Sequence, residues 1–267
     1  MQTGKTQLKL KKPIILALAT VLASMIVANL IGKDMAILVG NLAYIPVTLA
    51  LTSLTAILAI KFRGKSQHGI AWLMFLVCVS SWMIAEYVWT AEELVYHVNP
   101  FPSKADIFYV TGYFFLILFS LYYMKMAKDS VTKKMLLVSV VISASLLVPS
   151  IYMAQYSNSD VHGIAFALAL AYPILDAIVL VPAVIGIMLF LKGEASKLWL
   201  LFSLAIISLV AGDTGFLLTQ MNDTYYSGHP VEIMLIWSYI LFSFGVYSQI
   251  KMFESGKNIF HNKESLR

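Results

Sequence analysis

Eight apolar runs, each about as long as a lipid bilayer is thick, constrain this chain more than any motif in it. A spanning helix needs about 20 mainly apolar residues. Residues 13–32, 35–60, 69–91, 105–125, 135–154, 163–191, 198–219 and 231–250 meet that length. Lipid offers no partner to a free backbone amide, so such runs are helices. The expected fold class is therefore all-α, a polytopic membrane helical bundle of about eight transmembrane helices. Composition agrees, with 60% hydrophobic and 12% charged residues, where soluble domains have roughly 45–50% apolar residues. On this reading residues 1–12 are a basic tail, 13–250 one integral membrane domain and 251–267 a second tail, with no room for a globular partner.

Eight spans bring both ends to one side, and charge indicates which side. Seventeen of the 19 lysines and arginines fall in the two tails and in the segments around 61–65, 125–134 and 192–197; only Lys33 and Lys104 lie on the other side. By the positive-inside rule both termini are expected in the cytoplasm, in a multi-pass protein of the cell membrane. The first apolar run is too long for a signal-peptide core and is expected to be retained. The formal charge of +5 is then a topological signal beside an anionic leaflet, and the expected partner is the bilayer, not nucleic acid. The single cysteine, Cys78, allows no internal disulfide.

Most of the chemistry lies in residues 81–113, which join the third apolar run to the fourth. Trp82, Glu86 and Trp89 are spaced to share one helical face, placing a carboxyl between two indoles. Ser103 can cap the next helix with Asp106 as its capping-box partner, before Tyr109 and Tyr113 continue that face. Asp213 lies in the seventh run near its outer end, and Asp176 lies 13 residues into the sixth, near mid-membrane. Glu232 adds a fifth acid at the outer start of the last run.

An intramembrane acid costs several kcal/mol unless protonated, paired or hydrated, and no lysine or arginine lies inside any run. Asp176 and Asp213 are thus expected to be neutral, hydrogen-bonded to Tyr or Ser, or to face a cation. Ordinary explanations stand beside this one. Asp106 suits a helix cap, Glu232 a helix N-terminus, and Glu86 with Trp89 an interfacial belt. Tyr87, Tyr109, Tyr113, Tyr172, Tyr239 and Trp237 are packing residues or, facing the acids, an aromatic cage for a cation. His97, His162 and His229 fall in outer loops without the close spacing of a metal site, so no metal or cofactor is expected.

The run P-S-K-A-D-I-F-Y-V-T-G-Y (102–113) resembles the P-S-x-A-D-x-x-Y-x-x-G-Y signature in the multi-pass N-terminal sensor regions of bacterial GGDEF and EAL signalling proteins, which make or break cyclic di-GMP. A-Y-P-I-L-D (171–176) resembles their Y-P-x-x-D segment. G-D-T-G-F with Y-Y-S-G-H-P-V-E-I-M-L-I-W-S-Y (212–239) resembles their late aspartate and Y-x-x-G-x-P loop. In order and spacing the likeness covers roughly residues 69–250, while GGDEF, EAL and kinase domains are absent from the sequence. The resemblance implies a sensory or ligand-binding membrane domain without catalysis of its own, working through a separate cytoplasmic output protein.

The chain is therefore expected to be a stand-alone membrane sensor with an acidic and aromatic pocket in its outer half, binding a small molecule or cation. The candidate ligand-binding residues are Trp82, Glu86, Trp89, Asp106, Tyr113, Tyr172, Asp176 and Asp213. The alternative is a cation- or proton-coupled transporter or channel using Asp176 and Asp213. Enzyme function is not expected: G-x-S-x-G, Walker and zincin motifs are missing, and the last two runs lack the lysine of a retinal pigment.

Overall fold

The computed structural model describes residues 3–62, 66–98, 100–156, 163–193 and 196–264. His162, and Arg63 and Lys65 of the charge pattern, lie outside the described residues. The described chain is helical, in the order α1 (Thr3–Ile31), α2 (Lys33–Phe62), α3 (Gln67–Leu94), α4 (Ala105–Met126), α5 (Lys133–Tyr156), α6 (Ile164–Leu191), α7 (Lys197–Met221) and α8 (Glu232–Glu264). All eight are long and apolar enough to cross a membrane. The expected runs are recovered, with ends shifted by a few residues. The larger differences are at the two tails, where α1 already begins at Thr3 and α8 continues without a break from its apolar part to Glu264.

Local chemistry explains the boundaries. Ser66, in extended backbone, accepts from the Gly69 amide at 3.0 Å and so caps α3. Four prolines, Pro46, Pro149, Pro173 and Pro182, lie within single helices. Neighbouring helices stabilise such positions in a membrane bundle. Between α5 and α6, Ser143 donates to the Ala177 carbonyl at 2.5 Å.

Six of the helices form a closed ring. Each of α2, α3, α4, α6, α7 and α8 packs against the next, and α8 returns to α2. The other two lie outside it, α1 against α2 and α8, and α5 against α6. Burial separates the two groups: 11% of the apolar stretch of α1 and 17% of that of α5 is buried, against 33–56% for the ring helices. Most of the apolar surface of the outer pair is therefore left uncovered by the rest of the described chain.

Close approach around the ring depends on small residues and on polar side chains that bond backbone across helices. Between α3 and α4, Ser81 donates to the Phe108 carbonyl at 2.9 Å and the Trp82 indole to the Tyr109 carbonyl at 3.1 Å. A Cβ on Gly112 would lie 2.1 Å from that indole nitrogen, so only glycine lets Trp82 lie flat on α4. Between α7 and α8, Ser208 donates to the Met234 carbonyl at 2.7 Å.

The ring interior has two halves. The half nearer the chain termini is filled by aromatic side chains. The Phe75 ring lies 4.8 Å from Phe119, 4.9 Å from Phe202 and 5.4 Å from Phe242, with Trp72 beside them. All five are at most 2% exposed, so this half is a packed aromatic plug. The half at the opposite, distal end holds a cavity.

Candidate functional site

The cavity has a volume of about 290 Å³ and is lined by every helix of the ring. Helical spacing decides what faces it. On α3, Trp82, Glu86 and Trp89 point inward as a single stripe; on α4, Asp106, Tyr109 and Tyr113 do the same; α6 supplies Tyr172, α7 Asp213 and Phe216, and α8 Glu232 and Tyr239.

Glu86, Asp106 and Glu232 are each bonded to a tyrosine. Tyr239 donates to Glu86 Oε1 at 2.7 Å, linking α8 to α3. Tyr172 donates to Asp106 Oδ1 at 2.6 Å, linking α6 to α4. Tyr225 of the 222–231 loop bonds Glu232 Oε1, and the Gly228 amide donates to Glu232 Oε2 at 2.8 Å. Burial, and then the Glu232 carboxyl beside it, pushes the Tyr225 phenol up from its ordinary value, so it keeps its proton and acts as the donor.

The fourth arrangement joins two acids. The Tyr113 hydroxyl contacts Asp176 Oδ1 at 2.5 Å and also Asp213 Oδ2. A phenol carries one proton and can donate it once. The second contact requires another proton, held by one of the two carboxyls, so the three groups share a chain of hydrogen bonds and not a pair of negative charges. This satisfies the buried Asp176 and the half-buried Asp213 without any basic residue.

Of the eight expected site residues, Trp82, Glu86, Trp89, Asp106, Tyr113, Tyr172 and Asp213 line the cavity. Asp176 is 4% exposed and lies one hydroxyl behind the wall, in a small crevice toward α5 with Ser150 and Thr214. The expected convergence of Asp176 with Glu86 on one cavity is corrected accordingly: four residues after Tyr172 on α6, its carboxyl sits below the floor and reaches the cavity only through Tyr113.

Two of the expected cage aromatics also lie elsewhere. Trp237 donates to the Leu18 carbonyl of α1 at 3.0 Å, and Tyr87 faces the Ile45 carbonyl of α2. The capping assignment for Asp106 describes half of its role. Its Oδ2 accepts from the Ser103 amide at 2.8 Å, as a capping box requires, while Ser103 Oγ accepts from the Ala105 amide at 3.0 Å, one residue earlier than expected. The same carboxyl turns its other oxygen to the cavity and Tyr172.

Sequence reasoning missed the roof. The 222–231 loop folds over the distal end, with Tyr225 against Phe216 at 4.6 Å and Ser227 accepting from the Trp89 indole at 3.1 Å. Gly228 holds this loop down: its φ is +82°, and an added Cβ would lie 1.9 Å from the Ala36 carbonyl oxygen of α2. Asn29 of α1 donates to the Gly228 carbonyl at 2.8 Å and accepts from Tyr226 at 2.6 Å. The glycine in the Y-Y-S-G-H-P run was the available signal. Asn41 of α2 gave none. It is 2% exposed, donates to Ile37 O at 2.9 Å and to Glu93 Oε2 at 2.7 Å, and its Oδ1 at the cavity wall has no hydrogen-bond partner among the described residues.

The lining described here contains five carboxyls and ten aromatic rings and no lysine, arginine or histidine. His97 is exposed beyond the end of α3 with φ +53°. His229 accepts from the Val231 amide at 3.3 Å and is turned to Tyr226, and burial pushes its imidazole down from the ordinary value. Among the described residues no three His, Cys, Asp or Glu side chains are grouped to hold a metal ion. No protein-family model, no curated protein and no solved structure matches the chain.

Proposed function

We propose that this protein is a multi-pass membrane sensor, a ligand-binding module whose distal cavity takes a small molecule or cation and passes its occupancy to the cytoplasmic side along α8. The observation that carries the reading is the closed ring around an acidic and aromatic cavity that stops at the plug formed by Phe75, Phe119, Phe202 and Phe242. A transporter needs a site that opens to both sides in turn, and the acids end where the plug begins. α8 supplies the link: Glu232 and Tyr239 line the cavity at its start, and the same helix continues to Glu264, past the Lys61–Glu254 ion pair at 2.8 Å that ties it to α2. The charge pattern supports cytoplasmic termini, hence an outward-facing cavity. The resemblance of residues 102–113 and 212–239 to bacterial sensor regions supports the same reading.

Two measurements test it. Reconstituted in liposomes, the protein should conduct no Na⁺, K⁺ or H⁺ above protein-free vesicles. Filling the cavity by alkylating an Ala169→Cys side chain in a Cys78→Ala background should change the distance between spin labels at Asp129 and Met252. Measurable flux, or an unchanged distance, would refute the sensor.

A further inference from the structure

The donors and acceptors around the cavity identify the kind of ligand it takes, given that it is a ligand site. Most of the ring donors are already used, those of Tyr44 and Tyr109 excepted. The phenols of Tyr113, Tyr172, Tyr225 and Tyr239 are engaged by carboxyls, and the indoles of Trp82 and Trp89 donate to protein oxygens. The acceptors are not all used. Asp106 and Glu232 are held through both oxygens, but Tyr239 engages Glu86 through Oε1, with Tyr109 beside the same carboxyl, and Tyr113 engages Asp213 through Oδ2. Asn41 Oδ1, buried at the same wall, has no partner among the described residues. A buried acceptor left unmade is costly, so a group that supplies several N–H donors and positive charge fits here, and an anion does not.

The remaining walls restrict the choice further. Trp89, Phe101, Phe216 and Tyr225 form a connected set of rings at the roof, with centroids 4.6–6.3 Å apart, suited to an apolar body and to a cation over a ring face. A cavity of about 290 Å³ is at the small end of the ligand-pocket range, roughly 300–1,000 Å³. A hard metal ion would need a compact set of oxygens, and the helical carboxyls here are spread over α3, α4, α7 and α8, those of Glu86, Asp106 and Glu232 each fixed by a different tyrosine.

We propose that the cavity binds a small organic ammonium ion with N–H donors, its charge held by Glu86 and Asp213, one N–H on Asn41 Oδ1 and its apolar body under the Trp89–Phe216–Tyr225 roof. The inference rests on the ligand-binding reading above and narrows it to one chemical class.

Its test compares molecules of one shape. Thermal unfolding of the protein in nanodiscs is followed with 2-phenylethylamine, 2-phenylethanol, 3-phenylpropionate, N,N,N-trimethyl-2-phenylethylammonium and CaCl₂. Saturable stabilisation is expected with the primary amine. Binding should be at least about tenfold weaker for the alcohol and for the trimethylated ion, which lack the charge and the N–H donors respectively, since a hydrogen bond to a charged group is worth that much. Glu86→Gln should weaken the amine about tenfold or more and leave unliganded unfolding near that of the wild type. The wild-type comparison alone decides the matter if that variant fails to fold. Equal or tighter binding of the alcohol, the acid or Ca²⁺ overturns the ammonium inference and leaves a ligand site standing. Binding of none of the five overturns both.

Discussion

Replacing Tyr113 by phenylalanine should be unusually costly for the loss of one oxygen atom. The side chain is 2% exposed, so the ring stays packed and no cavity larger than a hydroxyl is made. The hydroxyl serves two carboxyls, the buried Asp176 and the half-buried Asp213, and its removal breaks both contacts and leaves the two acids facing each other. Side-chain hydrogen bonds inside membrane proteins are worth about 0.6 kcal/mol on average and up to about 1.7. Bonds to carboxyl groups belong at the upper end, so two of them amount to about 3 kcal/mol. Tyr172→Phe is the matched control: it removes a single bond, and Asp106 keeps the Ser103 amide, so about 1.5 kcal/mol or less is expected. Reversible unfolding in mixed micelles titrated with sodium dodecyl sulfate, followed by tryptophan fluorescence, gives both values. An Asp176→Ala partner for Tyr113→Phe completes a cycle whose coupling should be about 1.5 kcal/mol. If Tyr113→Phe costs no more than Tyr172→Phe, or the cycle shows no coupling, the shared hydroxyl is not what neutralises the two aspartates.

Two further perturbations test the roof and the orientation. Gly228→Ala combines a positive φ, worth about 1–2 kcal/mol, with a collision against the Ala36 carbonyl; Gly163→Ala, with φ +77° and nothing within 4 Å, carries the first cost alone. Hydrogen exchange across residues 222–231 should therefore rise sharply in the first variant and stay at the wild-type rate in the second, and equal exchange in the two would remove the argument for a tight roof. For topology, cysteines at Val98 and Asn222 in a Cys78→Ala background should react with an impermeant thiol reagent in intact cells, whereas one at Lys128 should react only after lysis; the reverse pattern would invert the protein.

Residue spacing made part of this site legible. The Trp82–Glu86–Trp89 stripe is a local property of one helix, as is the continuation of Asp106 into Tyr109 and Tyr113, and all six line the cavity. Asp106 was legible as a cap because capping is local chemistry. What escaped depends on how helices meet. In lipid both the inward and the outward face of a span are apolar, so periodicity does not say that Trp237 turns to α1 while Tyr239, two residues on, turns to Glu86. Nor does it say that Asp176 lies behind Tyr113, which is set by the register of α6 against α4. The pairing of Glu86 with Tyr239, 153 residues apart, follows from the closure of the ring by α8, and no local pattern encodes that closure.

The central claim is that the distal cavity is a ligand site closed on its inner side. A high-resolution cryo-electron microscopy map of the protein purified from its own membranes into nanodiscs tests it most directly. Non-protein density is expected within hydrogen-bonding distance of Glu86, Asp213 and Asn41, under an intact Tyr225 roof, with the Phe75–Phe202–Phe242 plug dry. A cavity collapsed on itself or filled by a lipid acyl chain, or a file of waters running past Phe75 to the other face, would contradict it.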